Sequence, residues 1–109
     1  MNPTYSEPKI LLAVRLFATD HQRRLIPECD AIWLEVDLSN WPTPLAGDVF
    51  TVYPSNDAQS RIEIVVDDVE YNLTAGIIQA RASLDAASAE AYRRDRDALA
   101  SQGFTVVER

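Results

Sequence analysis

The alternation of apolar and polar positions divides the chain into short extended segments and one helical segment. From Lys9 to Phe17, Ile10, Leu12, Val14 and Leu16 fall on one side and Leu11, Ala13, Arg15 and Phe17 on the other. At the two-residue period of a strand this predicts an element that is apolar on both faces. Such a strand is usually central in its sheet, or covered twice, by a helix on one side and by other strands or a partner chain on the other. Ala31 to Leu38 gives the cleanest pattern, with Ile32, Leu34, Val36 and Leu38 alternating with Trp33, Glu35 and Asp37, so a half-buried strand is expected there. A shorter strand is predicted over Val49 to Tyr53, with Phe50 and Val52 on one side and Pro54-Ser55-Asn56-Asp57 turning the chain after it.

Beyond Arg61 the apolar positions are even (Ile62, Ile64, Val66) and then, after Asp67-Asp68, odd (Val69, Tyr71, Leu73). A strand changes face only by inserting a residue. The pattern therefore predicts a β-bulge near Asp67-Asp68, or two short strands with a kink between them, and a sheet that curls. Thr74-Ala75-Gly76 supplies a reversal into Ile77–Leu84, making a hairpin. Asp85 is the expected N-cap of a helix near Ala86–Gln102 that stops at Gly103, and Phe104–Val107 reads as a closing strand.

Two intervals depart from this rhythm. Thr19-Asp20-His21-Gln22 fits a capping pattern for a short helical turn ending before Pro27. Asn40-Trp41-Pro42-Thr43-Pro44 breaks the alternation, because each proline removes an amide donor and holds its predecessor extended. The reading is an α+β domain over 9–109: a curled, mainly antiparallel sheet of about six strands, bending toward a partly open barrel, with one C-terminal helix packed on it before the last strand. Residues 1–8, with two prolines and no periodicity, form a flexible lead-in.

Composition narrows the partners. The length of 109 residues is that of one domain, and 47% hydrophobic with 25% charged residues is ordinary for a protein that folds unaided. Seventeen acidic against ten basic residues give a net charge of −7, which repels a phosphate backbone and either favours basic partners or simply keeps the protein soluble, the latter being the preferred reading. Cys29 is the only cysteine, so no internal disulfide forms and a zinc site would need three ligands of other kinds. The N-terminal residues lack a secretory pattern, and the apolar run Ile10–Val14 is too short to span a bilayer. A cytoplasmic protein with no membrane association is expected.

Candidate chemistry is sparse. His21 lies near Asp20, Glu28, Cys29 and Asp30, yet neither a Cys–His nucleophile nor a metal site follows from that spacing, and a solvated histidine with an inert cysteine is the preferred reading. The carboxylates Glu35 and Asp37 sit on a solvated strand face, and Asp67-Asp68 is accounted for by the bulge. On the helix, Ala87, Ala91 and Ala98 line one edge of the apolar stripe and Tyr92 and Leu99 the other. Asp95 falls between these edges, either at the rim of the interface or turned toward a cavity, and the rim is preferred because buried unpaired carboxylates are rare.

The aromatic residues Trp33, Trp41, Tyr53 and Tyr71, together with Asp95, are the candidate ligand- or partner-binding positions. There is no Gly-rich phosphate loop, nucleophile elbow or zinc-binding helix motif, so no cofactor, metal or catalytic residue is expected.

The stretch Val36-Asp37-Leu38-Ser39-Asn40-Trp41-Pro42-Thr43-Pro44-Leu45-Ala46-Gly47-Asp48 resembles a strand followed by a Pro-x-Pro-x-x-Gly-Asp turn found in small uncharacterised bacterial proteins. The tail from Ala98 to Val107 is similar to their closing helix and strand. Some of these proteins are carried on the mobile gene cassettes of integrons. The resemblance implies a small, often oligomeric bacterial adaptor or binding protein, and transfers no catalytic residue. Two functions are therefore expected in order. The first is a non-enzymatic interaction domain that forms a homodimer or binds a basic protein through an exposed sheet edge or the Trp33/Trp41 surface. The second is a small-ligand binder or enzyme with a pocket inside the curled sheet, drawing on Trp33, Tyr53, Tyr71 and Asp95.

Overall fold

A computed structural model describes residues 8–54 and 61–107. Most of the expected lead-in and most of the turn after Pro54 lie outside these residues. The elements are β1 (Lys9–Phe17), β2 (Ile32–Asp37), β3 (Val49–Val52), β4 (Ile62–Val65), β5 (Asp68–Asn72), β6 (Ile77–Asp85), α1 (Ala89–Ser101) and β7 (Thr105–Val107). Five strands form one mixed sheet in the order β5-β6-β1-β2-β7, and β3 and β4 form a separate hairpin. The two-faced strand β1 is central, antiparallel to β2 and parallel to β6. The other ladders are antiparallel.

The bulge forms where the alternation changes face. Asp68 is the ladder partner of Arg81, and Asp67 also donates its N–H to the Arg81 carbonyl at 2.8 Å. Two residues thus oppose one, which bends the strand. Before the bend, Ile62, Ile64 and Val66 are buried, the first two pairing with β3 and Val66 bonding to Gly47 and Asp48 just ahead of it; after the bend the chain pairs with β6. Of the two readings of 61–73, the one with two short strands and a kink between them is the one that forms, with the bulge at the kink, and among the described residues the strands number seven.

The bend carries the β3–β4 hairpin over the same face of the sheet that receives α1. Ile10, Leu12, Val14 and Leu16 of β1, Leu34 of β2 and Ala80 and Ala82 of β6 join Ile62, Ile64, Tyr92, Ala98 and Leu99 in one core. Small residues on β6 and α1 let the layers approach closely. The curl stops short of a barrel: β7 and β3 are the terminal strands of their sheets and do not pair with each other.

Two local expectations fail for related reasons. The helix starts later than expected, with Ser88 as N-cap, its hydroxyl accepting from the Ala91 N–H at 3.0 Å. Asp85 is instead the last residue of β6, and its carboxylate accepts from Thr19 N–H, Thr19 Oγ1 and Ala87 N–H. Thr19 is thereby drawn into a tertiary contact and is not a helix cap. It bridges to Leu25, while the Asp20 carboxylate takes the N–H groups of Gln22 and Arg24 at 2.8 and 3.1 Å. An aspartate-closed loop replaces the expected helical turn, since the side chain competes with the backbone for those donors. At the other end Gly103, with φ of 94°, is the left-handed residue expected after the helix.

Candidate functional site

The open side of the curl defines a groove. β7 pairs with β2 only at Trp33, Leu34 and Glu35, whereas the β1–β2 ladder runs on to Asp37 and Leu38 donates to the Ile10 carbonyl at 2.8 Å. Beyond Glu35, then, β2 has a neighbour on its β1 side alone. Across the gap stands β3, which among the described residues pairs only with β4. The space between them is a groove of about 380 Å³. Leu12, Val36 and Leu38 form its floor, Phe50, Thr51 and Val52 one wall, and Gln102 and Phe104 the other, where α1 leads to β7.

Local chemistry sets each wall. Asp48 closes the Leu45–Asp48 turn twice: its N–H donates to the Leu45 carbonyl at 3.0 Å, and its carboxylate accepts from the Leu45 N–H at 2.8 Å. Gly47, at φ of 93°, donates to the Val66 carbonyl at 2.8 Å while the Val66 N–H donates to the Asp48 carbonyl at 2.9 Å. This is a glycine-led bulge. No atom lies within 4 Å of a Cβ built on Gly47, so it is the positive φ that favours glycine here and not a lack of space. The Pro-x-x-Gly-Asp motif thus sets the direction in which β3 leaves its turn.

The ladder beyond that bulge alternates. With Asp48 bonded to Val66, the pairs of Phe50 with Ile64 and Val52 with Ile62 carry the β3–β4 bonds, and Val49 and Thr51 direct their N–H and C=O groups to the outer edge.

The loop after β2 is pinned beside the groove. The Asp37 carboxylate accepts from Ser39 Oγ at 2.5 Å and Ser39 N–H at 2.8 Å, and Ser39 Oγ in turn accepts from the Ile10 N–H at 3.3 Å. The Ser39 hydroxyl and N–H hold Asp37 below the usual carboxylate range, aided by Lys9 and against a smaller opposing effect of burial. Asp37 is therefore anionic at neutral pH, and among the described residues it is the only charged one lining the groove. Trp41 donates its N–H to the Leu38 carbonyl at 2.9 Å and leaves its indole 64% exposed at the groove.

The other expected positions are scattered. Trp33 is half-buried on the opposite face of the sheet, opposite Arg15 on one neighbour and Val107 on the other. Tyr71 lies at the β5 edge beside a second, shallower hollow of about 270 Å³ with Leu73, Ile77 and Ile78, and Tyr53 is exposed just beyond β3. Of the five candidate residues only Trp41 lines the groove. Phe50, Val52 and Phe104 were not among the sequence candidates, because an apolar residue beside a strand edge has the same local signature as one in the core, and Gln102 was not because it reads as the end of the helix.

Asp95 corrects the rim reading. It is 4% exposed and belongs to the packed stripe of α1 with Tyr92, Ala98 and Leu99. Arg94 reaches over it, with Nε and Nη2 each 3.2 Å from Oδ1. Burial raises its carboxyl above the usual range and Arg94 offsets only part of that effect. Cys29 is buried and His21 exposed. Among the described residues no group of three His, Cys, Asp or Glu could hold a metal ion, and no helix is long and apolar enough to cross a membrane.

Fold and groove together define an α+β protein whose curled sheet leaves an apolar seam beside an unpaired strand edge. No protein-family model, curated protein or solved structure matches the chain.

Proposed function

We propose that the protein is a non-enzymatic interaction module that holds a segment of another protein in the seam between β3 and the end of β2. The observation that carries this reading is the outer edge of β3, whose N–H and C=O groups have no strand partner among the described residues and which borders an apolar groove at Thr51. Strand edges left open in this way are templates for pairing, and native proteins usually blunt them with charge, proline or a covering element. The edge residues Val49 and Thr51 are neither charged nor proline, and Val49 is 53% exposed. The large exposed Trp41 at the mouth is the type of residue that anchors protein contacts. The net charge of −7 favours a basic partner.

Panning a random peptide library on the full chain tests the reading. A consensus should be enriched, and its binding should fall about tenfold or more in Trp41→Ala and also in Phe50→Ala, with the circular dichroism of Trp41→Ala unchanged. Failure to enrich a consensus, or binding indifferent to both substitutions, would overturn it.

A small-molecule site is the second reading. It is favoured by one observation, a groove of about 380 Å³ that falls within the roughly 300–1,000 Å³ of small-ligand pockets. A fragment screen that shifts Trp41 and Phe104 resonances while no peptide does so would favour it.

A further inference from the structure

We infer that the seam takes a single extended strand, apolar toward Leu12 and carrying basic residues, which pairs with the outer edge of β3. This rests on the interaction reading above and names the chemistry of the partner. The first argument is the backbone. Thr51, which lines the groove, directs its N–H and C=O groups to the outer edge of β3, as Val49 does one ladder step before it, and a buried peptide group without a hydrogen-bond partner is costly. A helix satisfies its own backbone and has nothing to offer them, whereas an extended segment supplies a donor and an acceptor at every second residue.

The second argument is side-chain period. Leu12 and Val36 on the floor and Phe50, Val52 and Phe104 on the walls are apolar, while the mouth lies beside the exposed Trp41, so an extended occupant needs apolar side chains toward the floor and tolerates polar ones at the alternate positions turned to the mouth.

The third argument is charge. Asp37 is the only charged lining residue among those described, and α1 ends over the groove at Gln102 with no basic residue in its last turn. The N–H groups of Gly103 and Phe104 close onto the Ala100 and Leu99 carbonyls, but no basic side chain of the helix offsets the negative end of its dipole there. A second copy of the chain would bring the same net charge of −7 to this site; a basic strand neutralises it.

The test uses the full chain, 15N-labelled, and three capped hexapeptides: one alternating lysine and valine, its glutamate-for-lysine counterpart, and the lysine form N-methylated at alternate residues. The lysine peptide should saturably shift the amides of Val49 and Thr51 and slow their hydrogen exchange. N-methylation should weaken binding about tenfold by deleting ladder bonds. The glutamate peptide should bind more weakly still at low salt, with the gap to the lysine form closing as salt rises.

Equal affinity of the methylated and unmethylated peptides, with Trp41 and Phe104 still perturbed, would overturn the strand inference and leave the interaction reading standing. Protection of Val49 and Thr51 that grows with protein concentration in the absence of peptide would overturn it in favour of a second copy. If no peptide perturbs the seam the inference falls, and the library experiment decides the broader reading independently.

Discussion

The two faces of the five-stranded sheet cover β1 to different extents and by different means: Ile10, Leu12, Val14 and Leu16 are all buried on one face, whereas on the other only Ala13 is buried and Leu11 and Phe17 are half-buried. On the inner face Leu12, Val14 and Leu16 lie under α1 and the β3–β4 hairpin, with 1%, 0% and 0% exposure. On the outer face Ala13 is also 0% exposed, with no further layer over it among the described residues. Its neighbours in register are Glu35 on β2 and Arg81 on β6. Gln79 reaches across β1 to donate to Glu35 Oε1 at 3.1 Å, and Arg81 bonds Asp68 and Glu70 at 2.7 and 3.2 Å. Long polar side chains thus lie flat over a small apolar residue and shield it with their stems. A strand apolar on both sides does not require a second layer when the outer apolar residues are small or half-covered.

The comparison breaks most readily on the inner face. Leu34→Ala should cost about 3 kcal/mol, the usual loss for a fully buried leucine in a core that cannot collapse around the cavity. Urea denaturation measures it, and a loss below about 1 kcal/mol would mean that the hairpin and helix do not seal that face.

Asp85 tests the end of the outer face, where β6 is tied to Thr19. Burial alone would raise its carboxyl, but the hydroxyl of Thr19 and the N–H groups of Ala87 and Thr19 outweigh it and hold the group below the usual carboxylate range. Because the folded value is depressed, this contribution is complete above the ordinary carboxylate range and is lost as pH falls through the folded value. Asp85→Ala should cost about 1–2 kcal/mol at neutral pH, allowing for solvent around the group. The difference from wild type should vanish in strong acid in a pH series of thermal melts.

Asp95 is the polar exception on the inner side, and its shift has the opposite sign. Its folded value is raised, so the ionised form is disfavoured by folding, and Asp95→Asn should increase stability at neutral pH by up to about 1 kcal/mol. The gain should shrink as pH falls through the raised value and be absent below the ordinary carboxylate range. Destabilisation at neutral pH would show that the Arg94 pair outweighs the burial cost.

Gln79→Ala should have the smallest effect, about 0.5 kcal/mol or less, since a part-exposed hydrogen bond contributes little. It should instead expose Ala13, seen as faster hydrogen exchange of the β1 amides. A loss above about 2 kcal/mol would indicate that the outer face is packed against another surface.

Much of the fold was legible in the chain. The limits of β1, the alternation of β2, the hairpin of β5 and β6, the bulge at Asp67-Asp68 and the left-handed Gly103 all follow from short-range period and steric preference, which do not depend on distant residues. The helix start was missed because Asp85 and Ser88 are both competent caps, and the choice is made by Thr19, distant in sequence. The seam was legible only in part. Trp41 stood out as an exposed aromatic in a proline-rich loop, whereas Phe50, Val52 and Phe104 carried no local mark that separates a groove wall from a core.

The sequence by itself determined which residues pair with water and which avoid it, and hence where strands, helix, bulge and turns fall, because those choices are made within a few residues. Only the tertiary structure decided that β1 lies parallel to β6, that the hairpin and α1 cover the same face, and that the curl stops before β3 meets β7. Those outcomes depend on which distant surfaces fit together. The unpaired edge and its apolar seam are products of that fit.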